Sequence, residues 1–204
     1  LSVCDYNLEK ISTKKNKARH NLLAEVCYAA KHEAESLINY RAQYVAKYGD
    51  LGSTTCTALA RSFADVGDII RGKDLYLGNP QEKTKREQLE KNLQKIFGKI
   101  HSDVTNGRSK SSASALQARY ENDPEFFKLR EDWWNANRQQ VWKAITCGTH
   151  EGDTYFRATC NDSVDGKGPS QARNQCRCGD KSKAVNGDVN IVPTYFDYVP
   201  QYLR

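Results

Sequence analysis

The chain has 204 residues, with 31 Lys and Arg against 25 Asp and Glu, 7 Cys, 3 Trp, 11 Tyr and no Met. That length suits one large or two small domains, and 38% hydrophobic residues suffice for a buried core. Full disorder is excluded by an aromatic content of 10%, and no apolar run approaches the ~18 residues that span a bilayer. No signal peptide opens the chain, and a start at Leu1 without Met predicts a piece of a longer protein. Residues 1–110 carry 19 basic and 13 acidic side chains, and residues 111–204 carry 12 of each, so the net +6 resides in the first half. Such a surplus suits nucleic acid, sulfated glycans or acidic protein surfaces, and equally an ordinary solvated Lys/Glu helical surface.

Polar residues 5–17 lead into the first predicted helix, Ala18 to Tyr48. At about 100° per residue, Leu22, Val26, Ala29, Leu37, Tyr40 and Tyr44 fall on one core-facing stripe. Glu33 lies inside that stripe, either as a buried carboxylate paired with an Arg or where the helix leaves the core. Gly49 and Gly52 break the helix. Ser53, Thr54 and Thr55 offer N-caps for a second helix reaching Arg71, whose stripe is Leu59, Phe63, Val66 and Ile70. Gly72 ends it, and Gly78-Asn79-Pro80 makes a turn.

The third predicted helix covers residues 81–104, with Leu89, Leu93, Ile96 and Ile100 buried and Lys91, Lys95 and Lys99 on an opposing ridge. Residues 106–114 are rich in Gly, Ser and Lys and read as a mobile loop. The fourth helix covers residues 124–146, with Pro124 in its first turn. Phe127, Trp134, Val141 and Ile145 mark one face, and Phe126, Leu129 and Trp133 a second, which makes this helix central. Arg138 falls within the first face and needs a carboxylate or carbonyl partner there, Glu33 being one candidate. After Cys147 the helical period stops, and Cys, Gly and Pro accumulate. The expected fold is all-α: a bundle of about four long helices over residues 1–146, then an irregular, disulfide-stapled extension over residues 147–204.

Catalytic chemistry finds little support. The histidines are His20, His32, His101 and His150, and no H-E-x-x-H, G-x-S-x-G, Walker or dinucleotide-binding pattern occurs. This reads as a non-enzyme without a cofactor. His150, Cys160, Cys176 and Cys178 resemble a zinc set only loosely, because Cys176-Arg177-Cys178 is C-x-C and not a paired knuckle. Cysteines at i and i+2 suit disulfides to two different partners, with Cys147 and Cys160 available. Cys27 and Cys56 suit a short bridge between the first two helices, which leaves Cys4 over. The alternative is a set of buried thiols in a cytosolic protein. Disulfides imply an oxidising, extracellular setting, with which the Asn161-Asp162-Ser163 glycosylation pattern agrees.

Three basic clusters are candidates for a polyanion: Lys14, Lys15, Lys17 and Arg19; Lys83, Lys85 and Arg86; and the Lys91, Lys95, Lys99 ridge. Several cations along one face add screened, salt-dependent contacts. No recognisable nucleic-acid motif accompanies them, which weighs against that partner.

Longer stretches carry a resemblance. Ala64-Asp65-Val66-Gly67-Asp68-Ile69-Ile70-Arg71-Gly72-Lys73-Asp74 is similar to a helix end of Duffy-binding-like domains. So are Leu129-Arg130-Glu131-Asp132-Trp133-Trp134, Asn137-Arg138 and the run Val141 to Cys147. The ending Val192 to Arg204, with Tyr195-Phe196-Asp197-Tyr198, resembles the same family's link between its second and third subdomains. The chain thus resembles the middle of the alpha-type domain of the malaria parasite's erythrocyte membrane protein 1. The resemblance implies a helical adhesion domain on the extracellular face of the infected red cell, associated with rosetting. It implies host partners such as heparan sulfate-like glycans, blood-group sugars and complement receptor 1, and membrane attachment through a segment outside this chain. It also implies that the motifs are scaffold, that stretches such as 106–116 and 148–175 carry variation, and that the domain continues past Arg204 into a third subdomain. A structural and antigenic spacer is the alternative role.

Overall fold

The computed structural model describes residues 18–49, 54–75, 78–106, 110–150, 152–160, 169–178 and 191–204, and among these described residues five α-helices carry the fold. They are α1 (Ala18–Tyr48), α2 (Thr55–Arg71), α3 (Pro80–Thr105), α4 (Lys110–Arg119) and α5 (Phe127–Ile145). Two short antiparallel strands follow, β1 (Ala158–Cys160) and β2 (Ser170–Gln171), then 3-10 turns at Phe196–Tyr198 and Gln201–Leu203. The fold is all-α, with an irregular, disulfide-stapled extension.

Local chemistry sets the helix ends. The Thr54 hydroxyl accepts the Thr57 N–H at 3.2 Å and opens α2. Gly72, at φ 72°, closes it in the left-handed conformation, and Lys73 N–H returns to the Asp68 carbonyl at 2.8 Å. Asn79 caps α3 by accepting the Glu82 N–H at 2.9 Å, with Pro80 in the first turn. Pro124 belongs to a 3-10 turn, Pro124–Phe126, and not to α5 itself. Glu125 and Phe126 of that turn, and Asn122 just before it, have positive φ. The Asp123 carboxylate then accepts the N–H groups of Lys128 and Leu129 and starts α5.

α5 is central, packing against both α1 and α2. Phe63 of α2 lies 5.1 Å, centroid to centroid, from both Trp134 and Trp142 of α5. Gly67 makes this approach possible: a Cβ there would stand 2.8 Å from the Trp134 ring. Leu22, Val26, Ala29, Ala30 and Ala34 bury the first half of α1.

Several expectations are corrected. Tyr40 is 67% exposed and Tyr44 only half-buried, because the 31-residue α1 is about 46 Å long and outruns the 17-residue α2 and 19-residue α5. Phe127, expected in the core, is exposed at the start of α5. Residues 110–114, the end of the stretch expected as a loop, instead begin α4, which continues through the good helix formers Ala115, Leu116, Gln117, Ala118 and Arg119. Glu33 is buried, and its carboxylate accepts from the Ser62 hydroxyl at 3.3 Å; Arg138 pairs elsewhere.

The cysteine pairing also differs. Cys56 is bonded to Cys176, 120 residues away, and Cys160 to Cys178. Cys176 and Cys178 do reach two different partners, but Cys147 is neither of them. Cys27 and Cys147 are free thiols. The Cys56 end of α2 faces the extension, where Trp142 Nε1 donates to the Cys176 carbonyl at 3.0 Å and seats that cysteine. Cys147 lies just past α5 and is exposed, while Cys27 is half-buried on α1, where burial pushes its thiol up. Cys4 and Asn161 lie outside the described residues.

Candidate functional site

Residues 191–204 form a strap across α2 and α5, fixed by buried charge. The Asp197 carboxylate accepts Arg138 Nε at 2.8 Å, Arg138 Nη2 at 2.7 Å and Trp134 Nε1 at 2.9 Å. Arg138 also donates to the Thr194 carbonyl at 2.8 Å, and Arg71 donates to the Asp197 carbonyl. Every polar atom of this carboxylate therefore has a donor, the condition under which a buried charge is tolerated. At the strap's end Arg204 pairs with Asp65 and Asp68 of α2. Burial holds the Asp65 carboxyl above its usual range, partly offset by Arg204.

Two further arginines satisfy helix C-termini. Arg130 donates from Nε to the Ile70 carbonyl at 2.6 Å and from Nη2 to the Ile69 carbonyl at 3.0 Å, closing α2. Its Nη1 reaches Glu90 of α3 at 2.5 Å, which fixes α3 against α5. Arg177 does the same for α5, donating to the Lys143 carbonyl and the Thr146 hydroxyl, both at 2.8 Å.

Between α3, the end of α2 and the turn before α5 lies a cleft of about 510 Å³. Ile69, Leu89 and Leu93 give it an apolar floor, and Phe127 forms one wall.

The expected anion-binding residues divide into three groups. Lys14, Lys15 and Lys17 lie outside the described residues, as does the side chain of Arg19. Lys83, Lys85, Lys91, Lys95 and Lys99 are exposed on α3. Among the described residues no carboxylate pairs with Lys83, Lys85, Lys91 or Lys95. Arg86 differs, being half-buried with its guanidinium 3.3 Å from the Asp74 carboxylate. Lys83, Arg86 and Lys91 line the cleft, whereas Lys85, Lys95 and Lys99 do not. Cys160 and Cys178, considered as metal ligands, are joined to one another, and Cys176 is committed to Cys56.

The family model for the Duffy binding domain matches residues 1–204. The chain belongs to the Duffy binding domain family. A solved structure of the NTS-DBL1(alpha-1) domain of Plasmodium falciparum membrane protein 1 (PfEMP1), varO strain, is 34% identical with a TM-score of 0.67, over 98% of this chain and 39% of that one. The PfEMP1 IT4var13 DBLbeta domain is 35% identical with a TM-score of 0.57, over 72% of this chain and 32% of that one. The same DBLbeta domain has been solved bound to ICAM-1, and that structure matches at 36% identity with a TM-score of 0.51, over 72% of this chain and 32% of that one. No curated protein matches the chain. This Duffy binding domain chain thus spans 39% of the length of the varO structure's chain. Within it, the motif residues Trp133, Trp134, Arg138, Val141 and Trp142 are all buried, and Gly67 sits under Trp134.

Proposed function

We propose that this chain is part of a non-enzymatic adhesion domain, displayed on the extracellular face of the infected red cell, that binds anionic host-surface glycans. The carrying observation is the exposed lysine ridge on α3. Lys91, Lys95 and Lys99 recur at i+4, about 6 Å per step, on the side opposite Leu89, Leu93 and Ile96. Lys83 and Lys85 extend the positive surface toward the helix start. A sulfated chain laid along α3 would meet successive ammonium groups, each contact screened by salt. Family membership supports receptor binding in general, since a DBLbeta relative is solved with ICAM-1. Heparan sulfate-like chains fit the ridge; blood-group sugars and complement receptor 1 are the other partners considered, and rosetting is the associated behaviour.

Charge reversal tests the site. Lys91, Lys95 and Lys99 replaced by Glu, and separately Lys14, Lys15 and Lys17 replaced by Glu, are compared on immobilised heparin in low salt. Weakened retention in at least one variant is expected; unchanged retention in both sinks the site.

A second reading, a structural and antigenic spacer, is favoured by the buried Asp197 node, which fixes the strap leading to Arg204 at a set geometry. Binding of the isolated folded chain to red cells separates the two, since a spacer folds without binding.

A further inference from the structure

The turn before α5 departs from what its own sequence favours. Asp123-Pro124-Glu125 suits a helix that begins at Pro124, with an aspartate N-cap, proline in first position and an acid in the first turn. The chain does otherwise. Glu125 stands at φ 64° and ψ 8°, Phe126 at φ 60° and ψ 30°, and α5 starts only at Phe127. Neither residue is glycine, so each carries the steric strain of the left-handed region.

Contact with α3 holds the bend. Phe126 is half-buried, with its ring 5.5 Å from that of His101, centroid to centroid. A Cβ on Gly98 would touch the same phenyl ring at 3.5 Å. Tyr120, just before the turn, sets a second ring 6.2 Å from His101. Burying a phenylalanine side chain is of the same order as the strain of two left-handed residues, so the two effects nearly balance.

The hydrogen bonds balance as well. In the bend the Asp123 carboxylate accepts the N–H groups of Lys128 at 2.9 Å and Leu129 at 3.2 Å, and Phe126 N–H donates to the Asp123 carbonyl at 3.1 Å. Were α5 to begin at Pro124, the carbonyls of Pro124 and Glu125 would take the first two donors at the helical spacing. The freed carboxylate would then cap the N–H of Phe126. Each of these donors keeps an acceptor in both arrangements.

We infer that residues 122–126 form a two-state latch on α3. Engaged, the turn is bent and Phe126 sits on Gly98 and His101. Released, α5 begins at Pro124 and Phe126 leaves α3. Strain resides in the engaged form, so its relief offsets the lost contact and both forms are populated. Lys95 and Lys99 flank Gly98, and an engaged latch holds them in a fixed array for an anionic chain. That last consequence rests on the glycan reading above; the latch does not.

The test is NMR of the isotope-labelled full chain and two single variants. Relaxation dispersion in the parent should report exchange at the amides of Gly98, His101, Glu125 and Phe126 on the μs–ms scale. Glu125→Gly, at an exposed position, relieves the bend and disfavours the helix, so the released population should fall about tenfold or more. Phe126→Ala removes the anchor, and the Cα shifts of positions 124–126 should become helical. A fixed turn, with Phe126 as an ordinary core residue, predicts lower stability with turn-like shifts retained. Turn-like shifts in Phe126→Ala, no exchange in the parent, or exchange that Glu125→Gly leaves unchanged would each overturn the latch. Heparin retention is read separately: a parent chain that exchanges but is not retained counts against the glycan reading alone.

Discussion

Asp197 and Arg138 stand 59 residues apart in the chain and meet as a bidentate ion pair, 0% and 5% exposed. The pair ties the strap to α5, and Trp134 adds a third donor to the same carboxylate. Asp197→Ala leaves the Arg138 charge buried without a counter-charge. The expected loss is about 3–5 kcal/mol of folding stability. Urea unfolding measures it, and Asp197→Leu with Arg138→Leu together should cost less than the sum of the single changes. Strict additivity would mean that the two groups do not interact.

Gly67→Ala tests the close approach of α2 to α5. The new methyl would stand 2.8 Å from the Trp134 ring, so the two helices must separate or the indole must turn. A destabilisation of about 1–3 kcal/mol is expected, with a change in tryptophan emission. A neutral result would place the two helices further apart than described.

The Cys56–Cys176 bond closes the chain over 120 residues. Cys56→Ser should lower stability by about 2–5 kcal/mol. Alkylation of the folded chain followed by peptide mapping gives an independent check. Cys147, exposed, should react first, and Cys27 should lag, since its thiol is half-buried and pushed up by burial, which lowers the thiolate fraction. Rapid labelling of Cys56 or Cys176 would contradict the pairing.

Two tyrosines should ionise late. Burial raises Tyr120, helped by its hydrogen bond to Asp132 at 2.9 Å, and burial raises Tyr198, helped by the Asp197 charge. A raised folded value means that the unfolded chain loses its proton first, near pH ~10. The stability these hydroxyls contribute is therefore complete below that value and is lost as pH rises through the folded one. Alkaline absorbance titration should show a late fraction that shrinks in Tyr198→Phe. A single transition for all the tyrosines would refute it.

Much of the bundle is legible in the sequence, because Leu59, Phe63, Val66 and Ile70, and Leu89, Leu93, Ile96 and Ile100, repeat at helical spacing and are indeed buried. Helix overrun is not legible: periodicity places Tyr40 on the core stripe but says nothing of how far the neighbouring helices extend. Arg138 announces itself as a buried charge needing a partner. That the partner is Asp197 and not Glu33 depends on a strap with no periodicity at all. Its one local signal is a carboxylate inside the aromatic run Tyr195-Phe196-Asp197-Tyr198. Arg130 and Arg177 as helix closers are likewise hidden, since their acceptors are backbone carbonyls from distant segments. The lysine ridge is legible from spacing alone. The cleft beside it is not, because three separate segments assemble it.

The most direct test of the adhesion account is binding of the folded chain to red cells, compared with the variant carrying Lys91, Lys95 and Lys99 changed to Glu. The account predicts that the chain binds, that prior heparinase treatment of the cells reduces binding, and that the variant binds more weakly at unchanged thermal stability. A folded chain that does not bind, or a variant that binds as well as the parent, would contradict it.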